Sequence, residues 1–208
     1  MRPYIGCRVL EVGAGKGVTT KILCDGSPNI WTCLEPDEDL ANEIKRKIDN
    51  KELPFCCEVI NRVASDLYIK EKYDTILYID VLEHIKHDKQ EIINLKKLLR
   101  LNGNLIILAP AHNWLYSPFD KAIGHYRRYN KKSLKAIIPS NLKLERIAYL
   151  DSIGLFVSFG NKFFLRQGNP QKEQIAFWDN IIIPLSIIFD RILCYALGKS
   201  ILGIWRNG

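Results

Sequence analysis

Glycines 13, 15 and 17 follow the apolar run Val9-Leu10-Glu11-Val12, and an acid, Glu35, ends a second run, Ile30-Trp31-Thr32-Cys33-Leu34. Glycine at such a turn lets the backbone bend sharply and approach a ligand where a Cβ would collide. A carboxylate at the tip of the next strand can accept hydrogen bonds from both hydroxyls of a ribose. These residues together predict a nucleotide pocket. The spacing Gly13-x-Gly15-x-Gly17 is not the G-x-G-x-x-G of a dinucleotide site, because Val18 stands where the third glycine is wanted. That departure argues against a pyrophosphate ligand and a nicotinamide oxidoreductase.

A second set of residues can handle protons and anions. His84, His112 and His125 fall near expected strand ends, and an imidazole titrating near neutrality suits general base work. His125-Tyr126-Arg127-Arg128-Tyr129 places two guanidiniums and two phenols in five residues, a composition suited to holding phosphate or carboxylate. Trp114, Tyr116 and Phe119 can stack on a sugar or an apolar ring.

The glycine turn, Glu35 and the later Tyr78-Ile79-Asp80-Val81-Leu82-Glu83-His84-Ile85 together resemble the class I S-adenosylmethionine-dependent methyltransferases. The likeness runs in order and spacing from about Arg8 to Leu108. Pro110-Ala111-His112-Asn113-Trp114 and Gly124-His125-Tyr126-Arg127-Arg128-Tyr129 are similar to a bacterial and archaeal subgroup associated with glycan or lipid-carrier pathways. The resemblance implies S-adenosylmethionine as cofactor and S-adenosylhomocysteine as product. It implies that Glu11 draws on the methionine ammonium, that Gly13, Ala14 and Gly15 lie under the sulfonium and ribose, and that Glu35 holds the ribose. The adenine would rest against Pro36 and the loop of Ala64, Ser65 and Asp66, with Asp80 and Val81 bordering cofactor and acceptor. Methyl transfer is a direct displacement, so the enzyme chiefly aligns the reactants. A hydroxyl acceptor adds the need for a base, for which His84 and His125 are the candidates. His112, Trp114, Tyr126, Arg127 and Arg128 are the candidate acceptor-binding residues.

The expected fold is α/β: a Rossmann-like doubly wound sheet of seven strands, mostly parallel, with an antiparallel last strand by the resemblance. Apolar runs bounded by turn residues place strands near 8–12, 30–34, 56–61, 74–79, 103–109, 143–150 and 200–205. Helical character runs from Lys16 to Cys24, from the acids after Pro36 to about Asn50, and from His87 to Leu99, stopping at Asn102-Gly103. No repeat, low-complexity tract or linker interrupts the chain, so residues 1–208 are expected to form one domain. Residues 152–197 are unusually apolar, yet Asp179, Asp190 and Arg191 break them well short of a membrane-spanning length of roughly 20 residues. A helical insertion before the last strand is expected there, serving as a lid, a dimer face or a peripheral membrane contact.

The net charge of +7 favours an anionic partner, a small molecule or glycolipid. A nucleic-acid methyltransferase is the first alternative, supported by the basic stretch 121–135 with its interleaved tyrosines, but no appended RNA-binding module or N/D-P-P-Y-like segment accompanies it. A non-catalytic cofactor-binding protein of the same fold is the second. The six cysteines include no C-x-x-C pair, so neither disulfides nor a metal is expected, and free thiols imply a reducing, cytoplasmic setting. With no charged-then-apolar run read ahead of the first strand, export is not expected. Few residues stand where relatives carry an N-terminal helix over the cofactor, which implies a truncated start or an open site.

Overall fold

The structure, a computed structural model, describes residues 1–67, 72–160 and 178–208. Seven strands form one sheet: β1 (Arg8–Val12), β2 (Ile30–Leu34), β3 (Cys57–Ile60), β4 (Tyr73–Ile79), β5 (Leu99–Pro110), β6 (Leu142–Leu150) and β7 (Ser200–Asn207). Their order is β3-β2-β1-β4-β5-β7-β6, with β7 antiparallel to both neighbours and the other pairings parallel. The chain reverses its direction of progress across the sheet between β1 and β4, the switch point at which open α/β sheets open a ligand crevice. Register aligns the strand ends there: Val12 pairs with Leu34 and Tyr78, and Ile79 with Leu108. The residues after β1, β2, β4 and β5 therefore meet at one edge.

Alternation along the strands feeds a core on each face. Leu10, Val12, Ile76, Tyr78, Leu105 and Ile107 pack on one side with Ile92 and Leu95 of α3 (Asp88–Lys96). Val9, Cys33, Leu77, Ile106 and Ile204 pack on the other with Ile44 of α2 (Glu38–Asp49). Asp37 caps α2 by accepting from the Leu40 N–H at 3.0 Å, with Glu38 and Asp39 in the first turn complementing the helix dipole.

Two expected boundaries are corrected. The first helix, α1 (Val18–Leu23), starts after Gly17 rather than at Lys16. The third ends at Lys96, not at Asn102-Gly103. Leu98 and Leu99 are buried, the Leu98 carbonyl accepts from the Tyr73 N–H at 2.8 Å, and Leu99 pairs with Tyr73, so sheet pairing and core burial override the helical spacing. Two short helices, α4 (Pro118–Ala122) and α5 (Lys131–Ile137), follow β5, each opened by a reciprocal cap from Ser117 or Asn130.

Of the expected helical insertion, the described parts are α6 (Ser152–Gly160), a π-helical turn (Trp178–Ile182) and α7 (Ile183–Ile192); residues 161–177 lie outside the described residues. Asp190 of α7 accepts from the backbone N–H groups of Asp151 (2.9 Å) and Ser152 (2.8 Å), and Ser186 donates to Asp151 at 2.7 Å. These bonds tie α7 to the end of β6. Ile183, Leu185, Ile187, Ile188 and Ile192 remain exposed. Among the described residues no helix is long and apolar enough to cross a membrane.

Candidate active site

The turn after β1 is fixed from below by the end of β2. The N–H groups of Gly13 and Ala14 donate to the Leu34 carbonyl at 2.8 and 3.2 Å, and the Gly15 N–H donates to the Glu35 carboxylate at 2.7 Å. The other Glu35 oxygen accepts from the Asp37 N–H at 3.0 Å. Glu35 is thus buried and doubly anchored, with lone pairs remaining for a ligand's hydroxyls. Gly13 and Gly15 both adopt left-handed backbone, at φ of 66° and 57°. Their surroundings differ. A Cβ on Gly13 would lie 2.6 Å from Val81 Cγ2, so that glycine serves the packing of β1 against the β4 loop. A Cβ on Gly15 would meet nothing within 4 Å, so it would project into open space beside Glu35, where a ribose can lie.

The carboxylate of Glu11 is buried, accepting at 2.7 Å from both the Thr20 hydroxyl and the Trp31 indole N–H. Burial pushes it up to about 7, against the opposing pull of those two bonds. Through Oε2 it braces β1 against α1 and β2. Thr20 and Trp31 were not singled out from sequence because an isolated Thr or Trp in an apolar run signals only core.

On the adenine side, Asn61 donates to the carbonyls of Glu35 (2.9 Å) and Pro36 (3.0 Å), fixing the β2 exit against the β3 exit. Ala64, Ser65 and Asp66 form a 3-10 turn in which the Ser65 hydroxyl donates to Asp66 at 3.0 Å. Ala64 and Val81 pack against the same apolar cluster, which brings this turn to the crevice.

Past β4, Asp80 takes a left-handed φ of 53°, its carboxyl raised by burial against the opposing pull of His125 and Lys199. The next turn, Leu82–His84, carries Glu83 and His84. Glu83 is fully buried and neither carboxylate oxygen has a hydrogen-bond partner. Desolvation drives it up to about 8, helped by Asp80. His84 is exposed, and its ring meets that of His125 edge-on with centroids 4.5 Å apart. Burial, then His125, lowers its pKa, keeping it neutral at physiological pH. His125 Nδ1 lies 2.9 Å from Asp120 Oδ1, and Nε2 lies 3.7 Å from Glu83 Oε1. The fold therefore brings Asp80, His84 and His125 together. It adds Asp120, which nothing in the sequence singles out, and Glu83, which there stands only as the neighbour of His84.

Both arginines of the candidate anion clamp are paired within the chain. Arg128 is held by Asp120 through two bonds of 2.9 and 3.0 Å, and Arg127 pairs with Asp88 at 2.5 Å while donating to the Lys86 carbonyl at 2.8 Å. Both guanidiniums are neutralised by buried carboxylates and hold the 125–129 turn in place. They still line an open groove of about 350 Å³ with Asn113 and Asn130. Tyr126 is exposed, with Arg127 over its ring. His112 stacks on Tyr149, with ring centroids 4.7 Å apart, and sits near Trp114, whose indole meets Phe159 edge-on.

Residues 10–105 match the family described as methyltransferase domain. Solved structures share the fold. They include coclaurine N-methyltransferase bound to N-methylheliamine and S-adenosylhomocysteine (TM-score 0.63, 15% identity, 95% of this chain and 66% of that one). NodS, an N-methyltransferase from Bradyrhizobium japonicum, gives 0.59 and 14% over 99% of this chain and 88% of that one. The cyclase SpnF gives 0.67 and 12% over 98% and 75%. At such identities the likeness concerns the fold alone. A hybrid PKS-NRPS synthetase from Acremonium is 29% identical over 112 residues, 51% of this chain but 3% of that much longer protein. The family match, over just under half of the chain, and the shared fold indicate a methyltransferase domain with S-adenosylmethionine as cofactor, and the Gly15 cradle and the Glu35 carboxylate fit its ribose.

Proposed function

We propose that the protein methylates a hydroxyl of a small-molecule, glycan or lipid-linked acceptor, within a single domain spanning the chain. S-adenosylmethionine supplies the electrophilic methyl group when bound. Glu35 and the Gly13–Gly15 turn hold it, Pro36 and the Ala64–Asp66 turn border its base, and Asp80 and Val81 separate it from the acceptor. The observation that carries the hydroxyl reading is the imidazole pair beside Asp80: His84, exposed and kept neutral, stands ready to accept a proton. An amine acceptor needs no such base once neutral. Trp114 and Tyr126 offer exposed rings for stacking, and the exposed apolar residues of α6 and α7 support an acceptor with an apolar portion or a peripheral membrane contact. The nucleic-acid alternative loses two of its cations, since Arg127 and Arg128 are already paired.

The test is product formation from S-adenosylmethionine across a panel of hydroxylated sugars, phosphorylated sugars and polyprenyl-linked glycans, with His84→Ala as control. The variant is expected to lose roughly 10²–10⁴-fold in turnover while binding S-adenosylhomocysteine as the parent does. A wild-type rate in the variant, or methylation confined to nitrogen, overturns the assignment.

A further inference from the structure

Glu83 is the anomaly of this site. A fully buried carboxylate without a hydrogen-bond partner costs several kcal/mol unless a proton or a cation neutralises it. Asp120, held ionised by Arg128, faces His125 Nδ1 at 2.9 Å, so the hydrogen-bond network places a ring proton on Nδ1 and leaves Nε2 turned toward Glu83. Nε2 and Glu83 Oε1 face each other across 3.7 Å. The gap exceeds a hydrogen bond but suits a shared metal ion: two ligands each about 2.1 Å from a metal lie roughly 3.4 Å apart at a tetrahedral angle and about 4.2 Å apart when opposite.

The third ligand is present. One ligand atom each from Glu83, His84 and His125 lies within 4.8 Å of the others. His84 lies on the open side, leaving room for an exogenous oxygen. The carboxylate behind His125 supplies the outer-shell contact that metal-bound imidazoles require. Asp120 in turn accepts from the Ser117 N–H and hydroxyl at 2.9 Å each, and from Arg128, so its orientation is locked.

We propose that Glu83, His84 and His125 bind a divalent first-row transition-metal ion, with Asp120 as the positioning residue for His125. Two imidazoles and one carboxylate select the zinc, cobalt, manganese and iron class over magnesium or calcium, which prefer an all-oxygen set. Resting on the hydroxyl-methylation reading, such an ion would hold the acceptor oxygen and lower its pKa, so that the histidines would promote proton loss as ligands in place of taking the proton themselves.

Cobalt(II) added to the chelator-treated full chain tests the site, read by visible absorption and bound-metal content. One equivalent is expected, with the weak d–d bands of a nitrogen and oxygen set. Affinity should fall at least tenfold in Glu83→Gln and in His84→Ala, the latter an exposed residue whose loss leaves the core intact. The buried Cys24, Cys56 and Cys57 thiols form a second conceivable metal set, which would announce itself by intense sulfur-to-metal bands. A Cys24→Ala variant should therefore leave the d–d spectrum unchanged. Absence of cobalt binding, binding indifferent to both Glu83→Gln and His84→Ala, or binding abolished by Cys24→Ala overturns the proposal. S-adenosylhomocysteine titrated into the same preparation reports the parent reading separately: cofactor binding without cobalt binding defeats the ion site alone.

Discussion

Replacing Glu35 separates its two roles, anchor of the glycine turn and holder of a ribose. Its carboxylate accepts from Gly15 at 2.7 Å and from Asp37 at 3.0 Å, and both bonds vanish in Glu35→Ala. Losing the acceptor of a backbone N–H costs about 1–3 kcal/mol where the donor cannot reach water, and the half-buried Gly15 amide is the more exposed to that loss. A drop in the melting midpoint of roughly 2–8 °C is expected for a chain of this size. Ribose binding adds charge-assisted bonds worth about 2 kcal/mol together, or roughly 30-fold in affinity. Glu35→Gln keeps one carbonyl oxygen for the Gly15 N–H but offers an amide elsewhere, so it should recover most of the stability and little of the affinity. Calorimetric titration of S-adenosylhomocysteine alongside thermal melts measures both quantities. Parent-like affinity in Glu35→Gln, or affinity falling only in step with stability across both variants, would refute the ribose contact and leave Glu35 as a loop anchor.

Gly13→Ala and Gly15→Ala should fail differently: the first destabilises, by about 1–3 kcal/mol, because its Cβ meets Val81 at left-handed φ, whereas the second folds with milder backbone strain but weakens cofactor binding at least tenfold. Urea unfolding and calorimetry on the pair check this, and equal effects on both readouts would sink the distinction. Arg128→Ala strands the buried Asp120 carboxylate and should cost about 3–5 kcal/mol in unfolding free energy; a loss below 1 kcal/mol would mean that Asp120 finds another partner. Glu11 titrates at about 7 when folded and near 4.5 when unfolded, so the folded state holds the extra proton between those values. Stability from its neutral form is full below pH 4.5 and is lost as pH rises to 7, on the order of 3 kcal/mol in all. Glu11→Gln keeps one oxygen for Thr20 and Trp31 and should remove that slope, so a chemical-denaturation series from pH 4.5 to 8 showing the same slope in both proteins contradicts the account.

What the sequence disclosed and what it withheld divide along a physical line. The strands and the glycine turn were legible because their signals are local: apolar runs bounded by turn residues, glycine where φ is positive, an acid closing an apolar run. The end of the third helix was misread because Leu98 and Leu99 continue a helical spacing, and only pairing with Tyr73 turns them into strand. Side-chain charge was read least well. Arg127 and Arg128 look like an anion clamp because sequence shows a charge without its partner, and those partners, Asp88 and Asp120, arrive from α3 and α4. Glu11 likewise looks free until Trp31 and Thr20 close over it. The same blindness hid Glu83, an acid beside a histidine that reads as an ordinary helix-start pair. Its lack of any partner is a property of the folded surroundings alone. The residues whose roles changed most on folding are thus the buried charges, whose free energy depends on a neighbour from another element. Of these, Glu11, Arg127 and Arg128 found one within the chain, and Glu83 faces His125 Nε2 across 3.7 Å with no hydrogen bond to either carboxylate oxygen.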